Sequence, residues 1–229
     1  MNLGIDVKIE RSTVRGQAQA VLRTAIAKGR WLPGQRVSER ELCDALEISR
    51  TSLREAIRTL EGERLIVIQP NKGIRIARLT IKEALEIYDA RELIESRVAR
   101  LAAERITARQ CEQLEAAMAA FSTAVAERRS DDMVKTASEF FGIVYEASGN
   151  TLLQELHGVL VGRVSYLRTM SMARAERAPK SEAEMLAILD ALKRRDPDAT
   201  CAATVAHVRA ACDAALESLR MFENPEGNV

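Results

Sequence analysis

Apolar positions recur at helical spacing over most of this chain, and one short region alternates in the manner of strands. Val14, Ala18, Val21, Leu22, Ala25 and Ile26 fall on one face of a helix predicted over residues 10–28. Two shorter helices follow within residues 38–60. Ser38 with Glu41 three residues on is a capping box for the first, and Ser49 caps the second, where Leu53, Ala56, Ile57 and Leu60 share a face. Arg50, Arg54 and Arg58, each four apart, line another face of that second helix. The period then changes: Leu65 to Gln69 and Ile74 to Ala77 are β-rich runs joined by Pro70-Asn71-Lys72-Gly73, which predicts a hairpin directly after the arginine helix.

From Thr80 onward no strand pattern occurs. Thr80 with Glu83 and Thr107 with Gln110 are capping boxes for helices over about 81–105 and 108–127. Asp131 and Asp132 suit the first turn of a helix that ends at Ser148-Gly149-Asn150, because carboxylates favour the positive end of the helix dipole. A longer helix carries Leu152, Leu153, Leu156, Leu160, Val164 and Leu167 toward Met172, and residues 173–180 read as a loop. Ser181 with Glu184 announces the next helix, and Asp196 with Pro197 launches the last. These elements predict a mainly α protein: an N-terminal winged helix-turn-helix with a small β-hairpin wing over residues 1–78, and an antiparallel all-α bundle of about six helices over 79–229.

Charge sharpens the division. The chain of 229 residues is nearly neutral at +1, yet residues 1–80 hold 15 Lys and Arg against 9 Asp and Glu, and the remainder 19 against 24. The positive share coincides with the arginine helix, as an electrostatic footprint on phosphates requires. Cys43, Cys111, Cys201 and Cys212 are scattered without Cys-x-x-Cys spacing and are expected as free thiols. No run of 18 apolar residues and no signal-like apolar core occurs, so a cytoplasmic protein without a membrane partner is expected. With His157 and His207 as its two histidines, no glycine-rich phosphate loop and no nucleophile elbow, the chain offers no catalytic constellation, and an enzyme is not expected.

The run from Leu32 to Leu42, then Ile48 to Ala56, then Leu60 to Ile66 resembles the winged helix-turn-helix of GntR-type bacterial transcription regulators. The resemblance implies DNA contacts by Arg40, Arg50 and Arg54, with Ser49, Thr51 and Ser52 beside them at the start of the recognition helix. It also implies that Asn71, Lys72 and Gly73 at the wing tip reach toward the minor groove. Glu47 departs from the pattern, standing where relatives carry glycine in the turn. A left-handed backbone there costs a non-glycine residue about 1 kcal/mol or more.

Behind that head, residues 91–103, Phe140 to Asn150, Ser181 to Ala191 and Asp196 to His207 are similar to the FCD ligand-binding domain of the family's FadR branch. Many FCD domains hold a divalent metal through one aspartate and three histidines. Aligned on Ser-Gly-Asn, those positions fall on Ala137, Phe141 and Met185, with His207 the one surviving donor, so neither a metal nor another cofactor is expected. The expected effector site is then an apolar cavity bordered by Arg91, Phe141, Met185 and His207, taking an organic acid or an acyl thioester. Core filling is the competing reading of Phe141 and Met185, and a salt bridge to Glu95 that of Arg91. The leading expectation is a ligand-responsive, homodimeric regulator, a repressor, on palindromic double-stranded operator DNA. A helical protein-interaction module and a family member without effector sensing stand as alternatives.

Overall fold

The computed structural model describes residues 14–27, 30–31, 34–69, 73–172, 174 and 176–223. The chain divides into two compact units, one of Met1–Ile26 with Trp31–Ala77 and one of Ala27–Arg30 with Arg78–Val229.

In the first unit, α1 (Val14–Ala27) is followed by β1 (Arg36–Val37), α2 (Glu39–Leu46), α3 (Arg50–Gly62), β2 (Ile66–Gln69) and β3 (Gly73–Ile76). Leu22, Ile26, Leu42, Leu53, Ile57 and Leu60 are buried together with Ile74 and Ile76 of the sheet. Each fully buried aliphatic side chain contributes roughly 1.5–3 kcal/mol. Arg23 fixes α1 against the end of α3 through two bonds to Glu63, at 2.8 and 2.5 Å, and Gln19 donates to Thr59 at 2.9 Å. β1, too short to reveal alternation in sequence, pairs antiparallel with β3 and makes the wing a three-stranded sheet of order β1-β3-β2. Ser49 Oγ accepts the Ser52 N–H at 3.2 Å, as its capping role requires. The turn between α2 and α3 passes through Glu47 at φ 53° and ψ 38°, the left-handed conformation anticipated from the glycine of relatives.

Among its described residues the second unit forms helices and no strand: α4 (Ile81–Arg105), α5 (Ala108–Ala126), α6 (Ser130–Ser148), α7 (Thr151–Met172), α8 (Arg177–Lys193) and α9 (Pro197–Glu223). α4 packs along α9 and touches α6 and α7, while α5 packs on α6 and α8. Phe121, Phe140, Leu114, Met185 and Ile188 fill the core between them. Thr80 and Thr107 form reciprocal capping boxes with Glu83 and Gln110, and Asp196 Oδ1 accepts from the Asp198 and Ala199 N–H groups.

Two expectations are corrected here. α8 begins at Arg177 rather than at Ser181, because Pro179 falls in its first turn, where a missing N–H loses no intrahelical bond. Ser181 is therefore buried inside the helix, its hydroxyl 3.9 Å from Met185 Sδ, and Glu184 serves other partners. On α7, Leu152 and Leu156 do not reach the core: they are 63% and 46% exposed in the first half of the helix, although they share a helical face with the buried Leu167 in its second half. The polar residues after Phe222, with Pro225 and Gly227, read in sequence as a frayed end; past Glu223 they lie outside the described residues.

Glu47→Gly should stabilise the winged unit by up to about 1 kcal/mol, since relief of left-handed strain exceeds the added unfolded-state freedom. Urea unfolding of the full chain checks this; an unchanged or lower midpoint would contradict it.

Candidate nucleic-acid interface and ligand cavity

The packed face of α3 determines what its other face presents. With Leu53, Ala56, Ile57 and Leu60 inward, Arg50, Thr51, Arg54 and Arg58 are exposed, as are Arg40 on α2 and Ser49 at the cap, and Ser52 is half-buried. Arg54 Nε donates to Glu39 Oε2 at 3.1 Å, an exposed pair that holds the side chain across the two helices and is worth little in stability. Arg40 and Arg50 make no ion pair among the described residues. Both border an open concavity of about 550 Å³ that is also lined by Arg36, Ser38, Glu39, Glu41 and Gly73. Gly73 sits at φ +83°, a conformation that suits glycine at the exit of the wing turn. Lys72 and Asn71 lie outside the described residues. Arg36 was missed in sequence because nothing about residues 35–37 marked a strand.

The bundle contains three guanidinium groups around its centre. Arg91, 3% exposed, donates to Glu95 at 2.6 and 3.3 Å, and Glu95 is 4% exposed. Burial opposes ionisation of Glu95, but Arg91 outweighs it and holds the carboxyl below its ordinary range. Arg177 makes two bonds of 2.8 Å to Glu184, whose Oε2 also lies 2.7 Å from His207 Nδ1. Burial drives the His207 pKa down against the pull of Glu184, so its imidazole is neutral at pH 7, and Phe141 stacks on it at 5.0 Å.

Arg168 on α7 is the exception. It donates to Ser138 Oγ at 2.9 Å and lies 5.6 Å from the Phe141 ring centre, but among the described residues it has no ion pair. Burial, reinforced by repulsion from Arg91, lowers its pKa to about 10, so it remains a cation at neutral pH. It lines a cavity of about 180 Å³ with Glu95, Ser138, Phe141, Gly142, Tyr145, Gln154, His157, Val161, Val164 and Ser165. Tyr145 is buried there with a hydroxyl that has no hydrogen-bond partner among the described residues, and its ring stacks on His157 at 4.1 Å. Burial pushes the His157 pKa down to about 4, leaving it neutral. A cation without an ion pair among the described residues, the Tyr145 hydroxyl and four neutral hydrogen-bonding side chains, Ser138, Gln154, His157 and Ser165, converge on one small space. That arrangement suits a compact anion with a second polar group.

Of the four residues expected around an effector, Phe141 lines this cavity. Arg91, Met185 and His207 do not. Arg91 is consumed by Glu95, Met185 is fully buried in the core, and His207 is held by Glu184. The same side chains fail to fit a metal: Ala137 and Phe141 have no donor, Met185 faces Ser181, and Glu184 beside His207 already serves Arg177. Among the described residues no three His, Cys, Asp or Glu side chains converge as metal ligands require.

Residues 14–76 match the family described as bacterial regulatory proteins, gntR family, and residues 86–210 match the FCD domain. The chain is 29% identical over 196 residues to the HTH-type transcriptional repressor RspR of Escherichia coli, covering 86% of each chain. It is 28% identical over 210 residues to the HTH-type transcriptional repressor NanR of Cronobacter sakazakii, covering 83% of this chain and 78% of that one. Its fold matches Escherichia coli McbR/YncC with a TM-score of 0.78 at 18% identity, over 86% of this chain and 94% of the other.

The Arg91–Glu95 pair generates a prediction. Arg91→Met strands a buried carboxylate and should destabilise the bundle by roughly 3–5 kcal/mol, whereas Arg91→Met with Glu95→Leu should be close to neutral. Because the Glu95 pKa is depressed in the fold, the pair's contribution is present at neutral pH and is lost as pH falls below the ordinary carboxylate value of 4.5. Equal destabilisation by the single and double variants, measured by urea unfolding at pH 7, would contradict this account.

Proposed function

Because the chain belongs to the gntR family of bacterial regulatory proteins and carries an FCD domain, we propose that it is a homodimeric repressor released or recruited by a small organic acid. The family is one of DNA-binding transcriptional regulators rather than enzymes. Two similar proteins are themselves named repressors, which supports that direction of control here. The reading head is α3: Arg50 and Arg54, with Arg40 from α2 and the Ser49, Thr51 and Ser52 hydroxyls, meet operator DNA, and Lys72 and Gly73 bring the wing to the adjacent groove. One such head spans only a few base pairs, so two heads on a two-fold operator are needed for useful specificity. A double-stranded operator implies the cytoplasm, and among the described residues no helix is long and apolar enough to cross a membrane.

The observation that carries ligand response is Arg168, a cation with no ion pair among the described residues, at the edge of a small, partly open cavity. A guanidinium forks onto a carboxylate, and Tyr145, Gln154 and Ser138 supply polar contacts for a hydroxyl or carbonyl on the same molecule. At about 180 Å³ the space is comparable to cavities of about 150 Å³ that hold one benzene, which favours a small acid over an acyl thioester. Phe141 forms an apolar wall. Arg91, Met185 and His207 act behind it, holding the core that shapes the site.

On the DNA side, Arg50→Ala or Arg54→Ala should each lose roughly 1–3 kcal/mol of affinity for an operator selected from random duplexes, with folding intact. Full-affinity binding by both variants would refute the head. On the ligand side, thermal unfolding should rise with one or more members of a panel of small hydroxy and keto acids, by about 2.7 kcal/mol at a hundred times Kd. Arg168→Met should abolish that rise; its persistence, or silence across the panel in the unaltered chain, would remove the effector assignment.

A further inference from the structure

We propose that the concavity beneath the wing seats one phosphodiester group of the DNA backbone, and that Arg36 closes it from the sheet side. The proposal rests on the DNA-binding reading and adds a residue to it. Arg36 on β1, Arg40 on α2 and Arg50 on α3 line one open depression, and none of the three has an ion pair among the described residues. Three like charges around a shared space repel unless water or an anion lies between them. Of the two carboxylates that also line it, Glu39 is engaged by Arg54, which leaves the depression cationic despite Glu41.

The sheet gives an independent reason. Arg36 stands directly opposite Arg75 in the β1–β3 register, and like charges at facing positions disfavour a strand pair. Arg75 is consumed by the fold, donating to Gln69 Oε1 at 3.0 Å and to the Gly34 carbonyl at 2.9 Å. Arg36 makes no such bond among the described residues. Its guanidinium extends over Gly73, where a β-carbon would stand 3.7 Å from Nε and 3.8 Å from Nη2, so the wing's glycine supports it from one side. A phosphodiester offers two unesterified oxygens and one negative charge, which a guanidinium fork from each side can share. Such a contact fixes register without reading sequence.

The test needs no operator. Binding to a random-sequence duplex, followed by fluorescence anisotropy across salt concentrations, reports phosphate neutralisation alone. Arg36→Ala should lower the slope of log affinity against log salt by about 0.9 per bound head, Arg36→Gln should do the same, and Arg36→Lys should keep the slope of the unaltered chain. Glu41→Gln should tighten binding. An unchanged slope in folded Arg36→Ala and Arg36→Gln proteins overturns the proposal, and so does failure of Arg36→Lys to restore it, since that would mark a structural role. Absence of salt-dependent DNA binding by the unaltered chain would refute the DNA-binding reading itself, a different result from a slope that ignores Arg36.

Discussion

A charge removed from water must be met by another charge or the fold loses several kcal/mol, and this constraint organises the helical unit. Arg91 and Arg177 meet it with Glu95 and Glu184. These pairs tie the interior together: Glu95 is on α4 within the cavity wall, and Glu184 links α8 to His207 on α9, against which Phe141 of α6 stacks. Arg168 is left over. It has no ion pair among the described residues, since Glu95, which lines the same cavity and attracts it, is held by Arg91; under the proposed function a ligand's carboxylate would stand in the space in front of it.

Elements whose ends are set by local chemistry were legible in the sequence. The Thr80, Thr107 and Asp196 caps satisfy backbone N–H groups a few residues away, so no distant packing is needed to place them. Glu47 was legible for a similar reason, since the turn's geometry depends on the backbone at one residue. The Ser181-to-Glu184 spacing has the same form and misled, because both positions lie inside α8, where Ser181 meets Met185 one turn on and Glu184 is taken by Arg177 and by His207 of α9. Glu184 bonds Arg177 and His207, neither of which lies within a turn of it. β1 was hidden because its two residues gain strand character only from β3.

The cavity shows where periodicity stops informing. α7 carries one apolar stripe along its length, with Leu152, Leu156 and Val159 exposed in its first half and Val164 and Leu167 buried in its second, so the spacing did not mark how far along the helix the core extends. Arg168 stands near the end of that helix, where no spacing or cap in the sequence marks it. Arg91 looked like the ligand's cation because it falls in an apolar helix, and its alternative partner one turn away, Glu95, proved to be the one it takes. Sequence spacing locates candidates for pairing, and three-dimensional neighbours decide which charge remains unpaired.

In the DNA-binding unit the same constraint acts on the surface, where Arg36, Arg40 and Arg50 share a depression and make no ion pair among the described residues. A regulator of this kind works if an anion at Arg168 changes the free energy of the DNA-bound arrangement, and such coupling is reciprocal. The most direct measurement is a titration of selected operator DNA with and without a saturating stabilising acid, in the unaltered chain and in Arg168→Met. The account predicts that the acid changes operator affinity by roughly 5–150-fold in the unaltered chain and leaves Arg168→Met unaffected. An equal change in both proteins, or an acid that binds at Arg168 without changing operator affinity, would contradict it.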